Sequence, residues 1–362
     1  MTAALKSPRT RRLLLVGAVV ALALILSACG GDDLPQNTLS PRSERARNID
    51  DLFKLTLIIA GIIFVAVQGA ILVSVWKFRR KKGEGDKPVK QVHGNTRLEI
   101  AWTIAPAIIL AGIAVPTVQT IFENAETGEN AMHVTVVGHQ WWWEYQYTDF
   151  TRPDGGPLLT ANELHIPVDT EIALTLTADD GDVIHSFWIP NLSGKRDVVP
   201  GHVNTLTISA DETGEFYGQC AEFCGLSHAN MRLRAIVQTQ SEFDAWLAGQ
   251  LAEPNLPAAG EASLRAEGWD LFLVKGCAAC HTVNGTDAAG GGPNPGPNLT
   301  HVASRGTFAG ALYDFNTDNL SRWLADPSAL KPMEPDLNRG MPNLGLADDE
   351  ITALVAFLEG LT

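Results

Sequence analysis

Residues 220–231 read CAEFCGLSHANM and hold most of a set of side chains that bind soft metals. The set is Cys220, Cys224, His228, Met231 and, 35 residues before Cys220, His185. Two thiolates, two imidazoles and a thioether together select copper over hard cations. Zinc sites rarely recruit a thioether, and their Cys and His sets normally begin with a tighter C-x-x-C spacing. This stretch therefore predicts a copper site.

Two other interpretations of this stretch were weighed against a copper site. In the first, Cys220 and Cys224 form a disulfide, His228 is a surface histidine and Met231 packs in a core. In the second, the chain is a copper-delivery protein of thioredoxin-like fold, which predicts βαβ alternation and no ligands directly after the second cysteine. The sequence has neither property. A dinuclear centre explains the need for two thiolates, because both sulfurs can bridge two copper ions that share one electron.

The chain around this stretch has a β-rich pattern. Short alternating runs, for example residues 133–137, 171–176 and 203–208, are separated by turn residues such as those at 152–156 and 200–201. Several short strands with regular turns predict an all-β sandwich or barrel.

The N-terminus has the layout of an export signal. Basic residues precede an apolar run over residues 13–26, and Ser27, Ala28 and Cys29 follow this run. This resembles a bacterial lipoprotein signal, so we expect a signal peptide over residues 1–28, an acylated Cys29 and an exported segment over residues 29–51. An uncleaved membrane anchor is the alternative, but a run of about 14 residues is short for a span, which needs about 20.

Two longer apolar segments, residues 52–76 and 100–121, predict a transmembrane helix hairpin over residues 52–122. A pair of buried soluble helices is the alternative. The connecting residues 79–97 hold seven basic and two acidic side chains, and positively charged loops stay in the cytoplasm. We therefore expect a multi-pass protein of the bacterial plasma membrane, with everything after about residue 122 on the exported face.

A second chemical motif lies near the C-terminus, after a linker rich in Pro and Ala at residues 251–260. Cys277, Cys280 and His281 form the C-x-x-C-H motif that attaches haem c, in which both sulfurs bind the porphyrin and the histidine binds the iron. A thioredoxin-type motif would require alternating strands and helices. Residues 261–362 instead have the pattern of a small all-α domain, with helices separated by loops rich in Gly and Pro.

Length and composition argue against three further classes of protein. The chain has 362 residues, too many for a single small module, and a net charge of −14 argues against nucleic-acid binding. Five cysteines are too few for a disulfide scaffold of this length. One serves lipidation, two copper and two haem, so none remains for a structural disulfide.

The copper region resembles subunit II of haem-copper cytochrome c oxidase over about residues 45–250. The resemblance is carried by GHQWWWEY at residues 138–145, HSFWIP at 185–190, YGQCAEFCGLSH at 217–228 and LEIAWT at 98–103. It implies a cupredoxin barrel over residues 130–250 that holds the dinuclear copper A centre. The implied ligands are the side chains of His185, Cys220, Cys224, His228 and Met231 and the backbone carbonyl of Glu222. The Glu222 carboxylate would bind a magnesium ion shared with subunit I.

The resemblance also assigns a role to one residue of the tryptophan run 141–143. It makes Trp141 the residue at which electrons arrive, and an exposed aromatic face near a redox centre suits the docking of a partner. Strand alternation would place Trp141 and Trp143 on one face and Trp142 on the other. A core position is about as well supported as an exposed one for Trp142 and Trp143, but not for Trp141.

The C-terminal domain resembles class I cytochrome c, through residues 268–272, the loop 296–299 and the residues 346–351 that open the last helix. The family places its axial methionine directly before a proline and a few residues ahead of that helix, which favours Met341 over Met333 as the sixth ligand of the haem iron. Arg305 and Trp323 could contact the haem propionates. A solvated arginine and a core tryptophan are equally good interpretations.

These features predict the electron-accepting subunit of a haem c-fused terminal oxidase of the caa type. Electrons from cytochrome c, or directly from a quinol:cytochrome c reductase, would pass through haem c and copper A to subunit I, in a complex that also contains subunit III. The alternatives are an electron-transfer subunit of another terminal reductase, such as one acting on nitrous oxide, and a copper-handling protein. The paired spans argue against the first and the haem motif against the second.

Overall fold

The computed structural model of the protein contains two long apolar helices, a β-rich unit and a helical unit, in that order. It describes residues 12, 16, 17, 19, 20, 35–79, 93–292, 295–337 and 339–362. Cys29 lies outside the described residues, as does most of the expected signal peptide, so cleavage and acylation stay predictions.

Helix α1 spans Glu44–Phe78 and helix α2 spans Thr96–Ala125. Each begins at a polar cap, with the Ser43 hydroxyl and the Asn95 side-chain carbonyl accepting backbone N–H groups of the first turn. The helices extend beyond the predicted spans because their ends include polar turns outside the apolar segments; α1 begins eight residues before residue 52.

The apolar side chains of both helices are exposed along their length, and their most apolar windows have no buried share. An isolated protein with such a surface would aggregate in water, whereas lipid would cover it. At 1.5 Å per residue, both helices are longer than the roughly 30 Å hydrocarbon core of a bilayer. The expectation of two apolar membrane helices is confirmed.

The β-rich unit is built from two five-stranded sheets. Its strands are β1 (Met132–His139), β2 (Trp142–Thr151), β3 (Pro157–Ala161), β4 (Glu163–Pro167), β5 (Ile172–Ala178), β6 (His185–Trp188), β7 (Arg196–Val198), β8 (Asn204–Ile208), β9 (Gly214–Cys220) and β10 (Arg232–Gln238). The first sheet has the order β3-β2-β1-β5-β8 and the second β4-β10-β9-β6-β7. Both mix parallel and antiparallel pairs, since β1 is parallel to β5 and β10 to β4.

The core of this unit lies between the sheets, and the period-two pattern of the sequence accounts for it. Along β5, Ile172, Leu174 and Leu176 are buried while the residues between them are partly exposed. Burying each such side chain stabilises the fold by about 1.5–3 kcal/mol. The three runs predicted as strands coincide with β1, β5 and β8, which confirms the all-β expectation.

The remaining helices are α3 (Gln240–Gln250), α4 (Leu264–Val274), α5 (Thr317–Ala325), α6 (Pro327–Leu330) and α7 (Asp348–Glu359). The expected order of helix, loop, helix, loop and helix corresponds to α4, α5 and α7. The sequence did not reveal α3, α6 or the small hairpin of Thr307–Phe308 and Tyr313–Asp314.

The crossing of α4 and α7 determines the shape of the helical unit. A Cβ atom at Gly268 would lie 2.0 Å from the carbonyl oxygen of Ala353, so only glycine permits this approach. Trp269, Phe272 and Phe357 pack around the crossing, with ring centroids 5.2–5.9 Å apart. This packing leaves the C-x-x-C-H turn directly after α4, at the edge of the helical core.

Candidate copper and haem sites

The five predicted copper-binding side chains meet at one end of two interior strands of the second sheet, β6 and β9. His185 is the first residue of β6, Cys220 is the last of the neighbouring strand β9, and the loop from β9 to β10 carries the other three. The Sγ atoms of Cys220 and Cys224 are 3.7 Å apart. The His185 Nδ1 atom is 3.9 Å from Cys220 Sγ, and the His228 Nδ1 atom is 3.5 Å from Cys224 Sγ.

Two further donor atoms complete this group. The Met231 Sδ atom is 3.8 Å from Cys224 Sγ, and the backbone carbonyl oxygen of Glu222 is 3.2 Å from Cys220 Sγ. The Glu222 side chain points away from the core and is exposed. All six donors predicted from the sequence are therefore together.

The sulfur atoms are shielded from water. His185 and Met231 are fully buried, and Cys220 and Cys224 nearly so. The two cysteines are free thiols, so the disulfide interpretation is not observed. The adjacent Cys224 thiol holds the pKa of Cys220 well below its ordinary value, although burial opposes this shift. Low thiol pKa values favour the thiolate form that binds metal.

A residue that sequence reasoning missed orients one of these donors. The Asp182 carboxylate lies 3.2 Å from Nε2 of His185, on the side opposite the cysteines. A carboxylate on the second ring nitrogen directs the first nitrogen toward a metal and raises its basicity. The sequence signal was weak, because one acidic residue three positions before a histidine is common. The donor set is soft and buried, and it fits copper.

The position of Trp141 differs from the prediction. It is only 2% exposed, so the expected exposed face is wrong. Trp141 lies in the turn between β1 and β2, where strand alternation does not apply, and the helical unit covers it. Its Nε1–H group donates to the carbonyl oxygen of Cys224 at 2.9 Å. Trp141 therefore directly contacts the loop between β9 and β10, residues 221–231, which we call the copper loop, and lies between the β-rich and helical units.

The other two tryptophans are also buried. Trp143 packs edge-on against Phe187 and His185 in the core. Trp142 stacks on His139, with ring centroids 4.3 Å apart. Trp143 therefore agrees with the core interpretation, whereas Trp142 is buried outside that core, against His139.

The predicted haem residues line one cavity, which lies between the helical unit and the Trp141 turn. Cys277, Cys280, His281 and Met341 all border it, and Trp141 and Trp142 form part of its wall. Most of the other lining side chains are apolar, as a porphyrin requires. Cofactor cavities of this kind commonly lie between domains.

The histidine of the motif is oriented toward this cavity. His281 Nδ1 lies 2.8 Å from the carbonyl oxygen of Pro297 and donates to it, so Nε2 is left for the iron. A Cβ atom at Gly296 would lie 2.5 Å from the His281 ring, so the loop 296–299 has to pass this close. The loop that resembles the haem loop of class I cytochromes thus orients the His281 ring.

Arg305 provides a further test of whether the cavity suits haem. It borders the cavity and is 9% exposed, so the solvated-arginine interpretation is wrong. Its Nη2 atom donates to the carbonyl oxygen of Asn298 at 2.6 Å, while its buried Nε atom has no hydrogen-bond partner among the described residues. Burial lowers the pKa of Arg305 to about 10. A haem propionate is an anion of the kind that would satisfy the Nε atom, so the cavity fits haem.

Both candidate methionines border the cavity, but they pack differently. Met341 packs against the core of the helical unit, whereas Met333 packs against the core of the β-rich unit. Trp323 is half-buried, and its Nε1–H group donates to the Met341 sulfur at 3.1 Å. The backbone N–H of Met341 donates to the Met333 sulfur at 2.9 Å. Both methionines therefore border the cavity, and the assignment of Met341 as the haem ligand stays a prediction.

Buried polar contacts join the β-rich and helical units. Glu163, at the start of β4, accepts hydrogen bonds from the Thr307 hydroxyl at 2.5 Å and the Gly306 N–H at 3.1 Å. Burial by itself would raise the pKa of Glu163, but hydrogen bonds from His165, Thr307 and Gly306 outweigh it, so the pKa lies below its ordinary value. These hydrogen bonds therefore hold the haem cavity against the β-rich unit, which carries the copper donors and is called the copper unit below.

The sequence matches three family profiles. "Cytochrome C oxidase subunit II, transmembrane domain" covers residues 36–120, the periplasmic domain of the same subunit covers 132–239, and "Cytochrome c" covers 265–362.

Several curated proteins similar to this chain are named cytochrome c oxidase subunit 2. Cytochrome c oxidase subunit 2 of Alkalihalophilus pseudofirmus is 36% identical over 351 residues, which cover 94% of each protein. That of Bacillus subtilis is 34% identical over 366 residues, which cover 97% of each. That of Arabidopsis thaliana is 32% identical over 234 residues, which cover 59% of this chain and 85% of the plant protein.

Proposed function

This chain belongs to the cytochrome c oxidase subunit 2 family and carries a cytochrome c domain at its C-terminus, and we propose that it is the electron-accepting subunit of a caa-type terminal oxidase. One electron at a time would leave a reduced cytochrome c, pass through haem c and copper A in this chain, and reach subunit I. There oxygen would be reduced to water with proton translocation.

The site residues would hold two redox groups, a haem and a pair of copper ions. Each group, when bound, would gain and lose single electrons. Cys277 and Cys280 would attach the haem, and His281 and Met341 would bind its iron. The copper ions would be held by His185, Cys220, Cys224, His228, Met231 and the Glu222 carbonyl. Two of these donors lie on neighbouring strands and the others on the loop that joins β9 to β10, and this framework would keep their geometry nearly constant, which favours fast electron transfer.

One observation carries this proposal: Gln140 and Trp141, neighbours in the turn between β1 and β2, both border the haem cavity and both donate hydrogen bonds to the carbonyl oxygen of Cys224. Trp141 forms part of the haem cavity wall and donates a hydrogen bond to the copper-loop residue Cys224. The arrangement supports Trp141 as the residue at which electrons reach the copper site. In this chain they would come from the attached haem, because the helical unit covers Trp141.

The solvent-exposed side of the copper loop suits contact with subunit I. Glu222, Phe223 and Leu226 are exposed there, and Phe223 is 75% exposed. The Glu222 carboxylate is a hard oxygen ligand of the kind that magnesium prefers, so it would bind a magnesium ion shared with subunit I. Subunit III would complete the oxidase.

The proposed cellular location of the protein follows from the apolar helices α1 and α2. Both would cross the bacterial plasma membrane, and the copper and haem units would lie on its outer face, where cytochrome c or a quinol:cytochrome c reductase can reach them. An electron-transfer subunit of another respiratory reductase is the alternative. The haem content of the co-purified subunit I distinguishes an oxidase from another reductase. An oxidase should contain haem a or another oxygen-binding haem together with haem c.

The test is electron transfer within the purified oxidase. After photoinduced reduction of haem c, the copper absorption should change as the haem reoxidises. Trp141→Phe removes the indole N–H and should slow this step about tenfold, or about 1.4 kcal/mol of activation free energy. Trp246→Phe, which alters a tryptophan stacked on His165 away from both sites, should leave it unchanged. Equal rates in wild type and Trp141→Phe would remove Trp141 from the pathway.

A further inference from the structure

Lys331 is buried between the two exported units. It lies directly after α6 and is 3% exposed. Its Nζ atom donates to the carbonyl oxygen of Trp141 at 2.6 Å and to that of Ala309 at 3.0 Å. The first acceptor belongs to the copper unit and the second to the helical unit. One side chain thus joins the Trp141 turn to the haem-binding unit.

The second acceptor lies in a tight turn that approaches the copper loop. Gly310 follows Ala309 and has φ of +84°, in the left-handed region that favours glycine. A Cβ atom at Gly310 would lie 2.7 Å from Lys331 Nζ and 2.8 Å from the carbonyl oxygen of Asn230. Asn230 directly precedes Met231 in the copper loop. Glycine is therefore required here for the two units to meet this closely.

The residues after Lys331 extend the same contact. The Ser227 hydroxyl, in the copper loop, donates to the carbonyl oxygen of Pro332 at 2.5 Å. The next residue, Met333, borders the haem cavity and packs against the core of the copper unit. Three consecutive residues, 331–333, therefore touch the Trp141 turn, the copper loop and the haem cavity.

The chemistry of Lys331 is unusual for a residue that only fills space. Lysine is almost never fully buried without a paired charge, and burying its charge is costly. Within the part of the chain that the structure describes, Lys331 forms no ion pair, and its hydrogen bonds go to backbone carbonyls. A methionine would fill the space at lower cost, but it could not bond the two carbonyls. Both the ammonium and the neutral amine can donate these bonds, so the contact does not depend on the protonation state.

We propose that Lys331 and Gly310 form an interdomain clamp that holds the haem cavity in one fixed position against Trp141 and the copper loop. Lys331 is then a positioning residue for electron transfer from haem to copper, so the inference rests on the proposed function. The clamp makes the cytochrome unit a docked part of the subunit and not a carrier that swings on its linker.

The test uses the purified oxidase with Lys331→Met, which keeps the side-chain volume and removes the donors. We expect electron transfer from haem c to copper to slow about tenfold, equivalent to about 1.4 kcal/mol of activation free energy. Hydrogen exchange should rise in peptides covering residues 139–145 and 306–312. The enhancement of copper spin relaxation by ferric haem should weaken as the two centres move apart. The exposed lysine variant Lys195→Met should change none of these readouts.

A second pair of variants perturbs the clamp without touching a charge. Gly310→Ala should push the units apart and reproduce the effects of Lys331→Met. Gly291→Ala is the matched control, because Gly291 has φ of +86° but no atom near its Cβ position. If Lys331→Met and Gly310→Ala both retain wild-type transfer rates and exchange, the clamp is wrong. Absence of haem or copper from the wild-type protein would instead overturn the proposed function, so the two failures are distinguishable.

Discussion

The copper and haem regions are built in opposite ways. The copper donors lie 3.2–3.9 Å from their nearest partners in the group, fixed by two neighbouring strands and one loop. The haem residues surround a cavity, and they come from the C-x-x-C-H turn, the loop 296–299, α5 and the loop before α7. One region has a preassembled binding site, whereas the other has walls that its ligand must fill.

This difference bears on how each region is stabilised. The β-rich unit, which carries the copper donors, has a continuous core between its sheets. Cys220, Cys224 and Met231 form only a small part of that core. The helical unit has a smaller core, and much of its apolar surface faces the cavity. Any group that binds only the folded state stabilises it. Haem should therefore contribute more to the folding of its unit than copper contributes to its own.

The strongest way to break this comparison is to remove one sulfur from each site. Cys220→Ser should abolish the dinuclear copper signal, because one bridging thiolate is lost, and leave the haem c spectrum intact. Cys277→Ser should leave copper bound while one thioether bond of the haem is lost. Metal analysis and absorption spectra of the purified oxidase check both results. Loss of haem in Cys220→Ser would show that the two sites are not independent.

Removal of the haem donor should have a smaller, spectroscopic effect. Met341→Ala should abolish the weak long-wavelength sulfur-to-iron absorption band and lower the haem potential, because thioether ligation raises it. Met333→Ala should retain both properties and is the matched control in the same cavity. If only the Met333 variant loses the band, the ligand assignment is reversed.

The surface charge of the two units offers a kinetic comparison. Residues 132–259 carry 17 acidic and 5 basic side chains, and residues 260–362 carry 13 and 6. Reduction by a basic soluble cytochrome c should therefore be fast at low salt and slow down as the Debye length falls from about 10 Å at 0.1 M salt. A reduction rate that stays constant up to about 0.3 M salt would mean that the acidity serves only solubility.

The smallest expected effect concerns a contact that involves neither cofactor. Arg45 of α1 donates to Glu171 at 2.8 Å and to the carbonyl oxygen of Glu126 at 2.6 Å, and so joins the helices to the copper unit. Glu171→Gln should lower the stability of the copper unit at neutral pH by about 0.5–1 kcal/mol, since the carboxylate is partly exposed. Thermal unfolding in detergent measures this change.

The stabilisation by the Arg45–Glu171 pair should depend on pH, and the pKa of Glu171 gives the direction. The hydrogen bond from Arg45 holds the pKa of Glu171 below its ordinary value. The pair therefore stabilises the folded state above the unfolded-state pKa of Glu171, and this contribution disappears as the pH falls through the folded-state pKa. Wild type and Glu171→Gln should converge in acid. The more exposed pair of Arg42 and Glu212 is the control, and Glu212→Gln should have a smaller effect than Glu171→Gln at neutral pH.

The copper site could be predicted because its chemistry is concentrated in the sequence. Four of its five side-chain donors lie within residues 220–231, and their softness indicates the metal. The C-x-x-C-H motif is equally local. The strands and membrane helices followed from hydrophobic periodicity and length, which short-range sequence patterns record directly.

The contact between the two units could not be predicted in this way. The exposure expected for Trp141 was wrong because no local pattern shows that a segment nearly 200 residues away covers it. Lys331 occurs in a polar loop, where a lysine normally indicates solvent. Its burial depends on Gly310 and on the docking of a separately folded unit, neither of which produces a periodic signal.

The central claim is that this chain carries a dinuclear copper centre and a covalent haem together, and electron paramagnetic resonance with metal analysis of the purified oxidase tests it most directly. The account predicts two copper ions and one haem c in this subunit, and a copper hyperfine pattern from one unpaired electron shared equally by both ions. One copper ion in this subunit, with the four-line pattern of a single nucleus, would contradict it.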